Sequence, residues 1–158
     1  MIEISFWDFH ERKYDEKDYC LYVMKNGFGG ILYIGITEVD VWSRWFGWGG
    51  HIIWDRNMIY GESPVGVKIE RSTPDSLKWK IQLWTLEDCV NFLGNDIPLH
   101  NSRTIKEIEP LMIKNLSPIL NVTYNNNPGI DTTPKSNKEK AWDKYVDQAY
   151  NEIFNKKK

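Results

Sequence analysis

The chain contains little cysteine, no long apolar run and no excess of positive charge. Its two cysteines, Cys20 and Cys89, form neither a metal-binding spacing nor a disulfide framework, which favours a reducing, cytoplasmic setting. No stretch approaches about 18 apolar residues, and the first residues lack the basic-then-apolar pattern of a signal peptide. We therefore expect no membrane segment and a single domain, since 158 residues suffice for one core.

The scarcity of positive charge limits the kinds of partner. The net charge of −2 is low for a protein that binds nucleic acid with its own surface. Residues 135–158 hold seven lysines against four acidic residues, and this tail either contacts phosphates or is an ordinary solvated helix face. Affinity for DNA is expected to be modest and salt-dependent, unless a homodimer or a partner protein supplies more positive surface.

Two short apolar runs, 19–24 and 31–36, flank a segment with three glycines. Two β-prone runs around such a loop predict an antiparallel hairpin. A symmetric hairpin pairs Tyr22 with Tyr33, and directly opposed residues share one face of a sheet. Two phenol hydroxyls then lie side by side, although paired aromatic residues across a hairpin usually only pack.

The other predicted elements follow from capping residues, alternation and helical spacing. In chain order the first are a helix at 38–46 capped by Thr37, an irregular Trp-rich loop at 47–64, and strands at 65–70 and 77–84. A helix then runs from the Thr85 cap to Leu93. The last helix ends near Leu116, and it either begins near Lys106 or Glu107 or kinks at Pro110. The sum is an α+β fold with a small, three-stranded, mainly antiparallel sheet and flanking helices.

The predicted organisation along the chain has four parts. They are an N-terminal arm at 1–18 that packs on the core, a domain at 19–124, a turn-rich linker at 125–136, and a C-terminal helix at 137–158 that packs on or extends the same domain.

Four features occur in one order along the chain: Cys-Leu-Tyr at 20–22, Tyr-Ile-Gly at 33–35, Arg44 eleven residues after the second tyrosine, and the segment from Glu109 to Asn121 with Pro-Ile-Leu-Asn at its end. Together they resemble the GIY-YIG nuclease family over residues 20–124, roughly two-thirds of the chain. The first triplet departs from the family pattern, because Cys-Leu-Tyr stands where Gly-Ile-Tyr is expected.

The resemblance implies a metal-dependent endonuclease that hydrolyses phosphodiester bonds of DNA. Tyr22 would activate the attacking water, Tyr33 would support it or contact the phosphate, and Arg44 would bind the phosphate. Glu109 would hold one Mg²⁺ or Mn²⁺ ion, since no acidic cluster has a two-metal spacing. A phenol with a pKa of about 10 is almost entirely protonated at pH 7, so the metal and Arg44 would have to lower that pKa or the proton must be relayed. Activity should rise toward alkaline pH, and a flat profile from about pH 6 to 9 would count against Tyr22 as the base.

Two further residues have open roles. In the family a histidine often follows the arginine by about one helical turn, whereas His51 lies seven residues after Arg44. Either the loop brings His51 back to the site or its role is absent. Asn121 orients Glu109 or the hairpin by hydrogen bonds, or merely ends its segment.

Two other interpretations compete with a nuclease. One is a nuclease-like domain that has lost activity and binds nucleic acid or protein, which the acidity, the altered triplet and the eight tryptophans favour. The other is an unrelated α/β protein with coincidental tyrosines.

Overall fold

The computed structural model describes residues 1–56, 58–125 and 137–155, without the side chains of Lys138 and Asn155. The strands are β1 (Ile2–Ser5), β2 (Tyr19–Lys25), β3 (Ile31–Ile36), β4 (Ile52–Asp55), β5 (Met58–Gly61) and β6 (Lys80–Thr85). The helices are α1 (Phe6–His10), α2 (Val41–Phe46), α3 (Pro64–Arg71), α4 (Leu86–Leu93), α5 (Ile105–Leu116) and α6 (Asn137–Asn155). Short 3₁₀ turns occupy Asp75–Lys78 and Gly94–Asp96.

The main sheet has four strands in the order β1-β6-β2-β3, and neighbouring strands run antiparallel. The α+β class is therefore confirmed, but the prediction of three strands is wrong. The fourth strand comes from the N-terminus, where Ile2 pairs with Leu83 and Ser5 pairs with Lys80. Strands β4 and β5 form a separate two-stranded hairpin.

The N-terminal arm is part of the core. Ser5 caps α1 by accepting a hydrogen bond from the backbone N–H of Asp8, and the helix inserts Phe6 and Phe9 without any exposed surface. The Phe6 ring packs against Trp45 of α2 at a centroid distance of 5.4 Å. Residues 1–10 thus supply both a strand and core side chains.

The main sheet separates two apolar clusters. Tyr22 and Met24 of β2 face the first cluster, which α1, α2, α3 and the β4–β5 hairpin complete. Leu21 and Val23 face the second cluster, which α4 and α5 cover. This alternation along β2 follows from the two-residue period of a strand. Because both faces are covered, β2 lies in the middle of the fold.

Two predicted elements between α2 and β6 are wrong. The predicted loop at 47–64 contains the β4–β5 hairpin, and the predicted strand at 65–70 is the helix α3. Ser63 caps α3 and Pro64 takes its first position, and this combination favours a helix start over the β preference of the valines that follow. The predicted strand at 77–84 begins as a 3₁₀ turn and becomes β6 only at Lys80.

The other helices agree more closely with the sequence. Thr85 and Asp88 form the capping box of α4, and Gly94 ends that helix. Helix α2 is capped by Asp40 rather than by Thr37. Helix α5 begins at Ile105 and continues through Pro110, so Glu109 lies in its second turn.

Helix α6 occupies Asn137–Asn155, and the predicted linker lies outside the described residues except for Asn125. Glu139 of α6 accepts a hydrogen bond from Ser72 and forms a salt bridge with Lys68. Several large apolar side chains of this helix are exposed: Trp142, Tyr145, Val146, Tyr150, Ile153 and Phe154. Among the described helices, none has the length and apolar character needed to cross a membrane.

Candidate active site

The β2–β3 pair brings the two tyrosines to one face of the sheet. Tyr22 lies opposite Gly35 and Met24 lies opposite Tyr33, with an irregularity between Met24 and Lys25. The predicted pairing of Tyr22 with Tyr33 is therefore wrong by two residues. An even shift keeps every side chain on its face, whereas a shift of one would reverse it. The tyrosine rings are diagonal neighbours with centroids 6.3 Å apart.

Gly35 leaves the space that the ring of Tyr22 occupies. A Cβ atom at position 35 would overlap the hydroxyl oxygen, Cζ and Cε2 of Tyr22. The glycine of the Tyr-Ile-Gly triplet therefore allows the phenol to lie across the neighbouring strand.

A chain of two hydrogen bonds joins the sheet to α3. The hydroxyl of Tyr22 lies 2.6 Å from Nε2 of His51, and Nδ1 of His51 lies 2.6 Å from Oγ of Ser63. His51 is 2% exposed although it is seven residues from Arg44. The backbone N–H of Glu62 also donates to the carbonyl of His51 at 2.8 Å. The loop thus brings His51 back to the tyrosines.

Ser63 is a site residue that the sequence interpretation missed. Its Oγ accepts a hydrogen bond from the backbone N–H of Gly66 and so caps α3. The Ser-Pro pair at 63–64 was the available signal, since it is typical of a helix start. A capping serine directly beside a buried histidine is a contact between distant elements, and local spacing does not indicate it.

Burial keeps His51 and the two tyrosines uncharged. Burial, with a further contribution from the charge of Arg44, lowers the pKa of His51 to about 3. Burial also raises the pKa of Tyr22 well above its ordinary value, and it raises that of Tyr33. At pH 7 the imidazole is therefore uncharged and both phenols keep their protons.

Arg44 and Glu109 lie near enough to both phenols for their charges to act on them. Arg44 lowers the pKa of Tyr22 and of Tyr33, and Glu109 raises both. Both charged side chains are half-buried, and neither has a hydrogen-bond or salt-bridge partner in ranges 1–56, 58–125 and 137–155. A guanidinium and a carboxylate without partners are thus available to a ligand beside the tyrosine pair.

The side chain of Asn121 forms hydrogen bonds with β3 of the hairpin, so of its two expected roles it orients the hairpin and not Glu109. Its Oδ1 accepts from the backbone N–H of Ile34 at 2.9 Å, and its Nδ2 donates to the carbonyl of the same residue at 2.8 Å. The preceding residues bind β3 as well, since Ile119 N donates to Ile31 O and Leu120 N to Leu32 O. The segment after α5 therefore covers the outer edge of β3, next to Tyr33.

The carboxylate of Glu109 fits a site for one hard cation. Burial raises its pKa, and a nearby cation would keep it ionised. The described part of the chain holds no group of three or more His, Cys, Asp or Glu side chains suited to a metal ion. Mg²⁺ commonly uses one or two carboxylates and takes its other ligands from water and substrate phosphates. Such an ion would bind Glu109 and need no further acidic side chain.

Comparisons of the chain with protein-family models, with curated protein sequences and with solved structures find no match. Function is therefore inferred from the side chains that β2, β3, α2, α5, the residue before β4 and the N-cap of α3 contribute to the site. These are Tyr22, Tyr33, Arg44, His51, Ser63 and Glu109.

Proposed function

We propose that this protein is a metal-dependent endonuclease that hydrolyses DNA phosphodiester bonds at the tyrosine–histidine site. The observation that carries the proposal is the 2.6 Å hydrogen bond between Tyr22 and the buried, neutral His51. A neutral imidazole with a proton on Nδ1 has a free lone pair on Nε2, which accepts the hydroxyl proton of Tyr22. In that tautomer Nδ1–H donates to Ser63 Oγ, which lies 2.6 Å away.

The pair activates water by a proton relay. The phenol oxygen of Tyr22 accepts a proton from the attacking water while its own proton passes to Nε2 of His51. The water oxygen forms a bond to phosphorus, and the bond from phosphorus to the leaving deoxyribose oxygen breaks. A solvent proton completes the alcohol, and His51 returns its extra proton to solvent. A phosphate bound beside Arg44 brings negative charge near His51 and raises its pKa, so the imidazolium formed is less unfavourable.

The relay changes the expected pH dependence. A phenolate at Tyr22 is unfavourable in the free protein because burial raises its pKa. A neutral His51 remains available as acceptor at any pH well above about 3. Activity should therefore be nearly constant across neutral pH, in contrast to the alkaline rise expected from a phenolate alone.

The remaining groups bind the phosphate and neutralise its charge. The Arg44 guanidinium, which has no hydrogen-bond partner among the described residues, can donate to two phosphate oxygens, and the Tyr33 hydroxyl supplies a further donor. Glu109 would hold Mg²⁺ or Mn²⁺, and the bound ion would offset negative charge on the phosphate. These roles agree with what the resemblance to GIY-YIG nucleases implies.

The proposal is tested by cleavage of supercoiled plasmid at low salt with Mg²⁺ or Mn²⁺. The wild-type protein should produce nicked or linear DNA, and Glu109→Gln should reduce the rate at least about 100-fold because it removes the ionised ligand. Glu107→Gln is the matched control, since Glu107 is an exposed carboxylate on the same helix that binds Ser102. Equal loss in both variants would contradict a specific role for Glu109.

A binding module without catalytic activity is the second candidate. The net charge of −2 favours it, since it limits DNA affinity. A wild-type protein that retains DNA in a mobility-shift assay, yet is as inert as Glu109→Gln with every metal tested, would establish this candidate and exclude the nuclease.

A further inference from the structure

An open groove continues from the candidate site. It has a volume of about 870 Å³, and the residues that line it include the polar Arg44, His51 and Ser63 and the apolar Trp48, Ile53 and Trp54. Polar residues of the site and several apolar side chains therefore share one cavity. A ligand whose phosphate lies at Arg44 extends along these apolar side chains.

Trp48 lies at the groove on a hydrogen-bonded turn. The backbone N–H of Gly50 donates to the carbonyl of Gly47 at 3.0 Å, and Gly49 has φ +69°, as the third position of a type II turn requires. Gly47 and Gly50 also lie against the carbonyls of Ser43 and Trp45, so a Cβ at either position would collide with backbone. The turn holds Trp48 fully exposed to solvent.

The chemistry of the groove fits a nucleobase better than a second phosphate. Among the described residues that line it there is one arginine and no lysine, while Glu62 adds an acidic group. An indole ring held in solvent offers a stacking surface, and every base has an apolar face that stacks on aromatic rings. Stacking also adds affinity that does not depend on positive charge, which this chain lacks.

We propose that the groove binds an unpaired nucleobase adjacent to the scissile phosphate, stacked on Trp48. The inference rests on the proposed function, and it defines the substrate class as DNA with at least one unstacked nucleotide beside the cleavage point. A fully paired duplex keeps its bases inside the helical stack and leaves the groove empty.

The test measures binding of the full chain to fluorescent DNA by anisotropy in EDTA. Three probes are compared: a fully paired duplex, the same duplex with one unpaired thymidine, and that duplex with an abasic analogue in place of the thymidine. The last probe keeps the phosphate and the distortion of the helix but removes the base. The wild-type protein should bind the thymidine probe more tightly than the abasic probe.

Variants at Trp48 identify the stacking surface. Trp48→Ala should lose about 5- to 150-fold in affinity for the thymidine probe, equivalent to about 1–3 kcal/mol of stacking, and should bind the abasic probe unchanged. Trp48→Phe should keep most of the affinity. Phe28→Ala is the matched control, because Phe28 is 66% exposed in the β2–β3 turn and does not line the groove.

The outcomes separate this inference from the nuclease proposal. Equal affinity of the wild-type protein for the thymidine and abasic probes overturns the stacking site, whether or not plasmid is cleaved. An equal loss by Trp48→Ala on both probes shows a backbone contact and also overturns it. Base-dependent binding that Trp48→Ala removes supports the groove even if the wild-type protein cleaves nothing, in which case only the nuclease proposal fails.

Discussion

The ring of Tyr22 lies across the backbone of Gly35, the residue paired with it on the neighbouring strand. This position directs the phenol hydroxyl toward Nε2 of His51, 2.6 Å away. A side chain at position 35 would occupy the same space, so the relay geometry depends on the absence of a Cβ atom there.

Gly35→Ala should therefore displace the phenol. We expect a loss of about 1–3 kcal/mol in the free energy of unfolding from overpacking, and a loss of cleavage larger than the loss of stability explains. Gly27→Ala is the control, since its Cβ would only touch Trp79 at 3.5 Å. Urea unfolding and plasmid cleavage measure the two effects. Full activity in Gly35→Ala would contradict the relay geometry.

The pH–rate profile distinguishes a relay from a free phenolate. Cleavage by the wild-type protein should be nearly constant from about pH 6 to 9, because the pKa of His51 is about 3 and the imidazole stays neutral. In His51→Ala only the phenolate of Tyr22 remains, so residual activity should rise about tenfold per pH unit. Initial rates at constant ionic strength give both profiles. A tenfold rise per unit in the wild-type protein would exclude the relay.

Ser63 acts through His51 rather than on the substrate. Ser63→Ala removes the acceptor for Nδ1–H, so the unproductive tautomer becomes populated and kcat should fall about 10- to 100-fold with little change in KM. Ser63→Thr keeps a hydroxyl and an N-cap and should restore most of kcat. If both variants lose activity in proportion to their stability, Ser63 serves only as the cap of α3.

His51 also makes stability depend on pH. Its folded pKa is about 3 against an ordinary 6.5, so the unfolded chain binds more protons between these values. The free energy of unfolding should therefore fall as the pH is lowered from about 6.5, with a contribution of up to about 1.4 kcal/mol per pH unit. Chemical denaturation between pH 7 and about pH 4 gives the free energy of unfolding at each pH. This free energy should change less with pH in His51→Gln than in the wild-type protein. His100→Gln, at an exposed position, should match the wild-type slope.

Asn121 should matter for the register of β3. Asn121→Asp keeps an oxygen that accepts from the N–H of Ile34. The second carboxylate oxygen replaces Nδ2, which donates to the Ile34 carbonyl in the wild-type protein, so two acceptor oxygens face each other. We expect a loss of about 1–3 kcal/mol in the free energy of unfolding and faster amide exchange at Ile34. Asn115→Asp, at an exposed position on α5, is the control. Unchanged exchange at Ile34 would show that the edge of β3 is held by other contacts.

Much of the local structure could be read from neighbouring residues. The two strands of the hairpin, the Thr85 capping box and the stop at Gly94 are encoded within a few positions of each other. Helix α3 replaces the strand expected at 65–70 because the Ser63–Pro64 start favours a helix over the β preference of the valines. Strand β1 was missed because its signal is its pairing with β6, about eighty residues away.

The order of residues along the chain determined which side chains are candidates for the site: two tyrosines on neighbouring strands, an arginine on the next helix and a carboxylate far downstream. Only the folded chain decided their partners. The hairpin register placed Tyr22 over Gly35, and the packing of α3 against the start of β4 buried His51 between Tyr22 and Ser63. Secondary structure depends on residues that are close in sequence, whereas burial and long-range hydrogen bonds exist only once separate elements pack together.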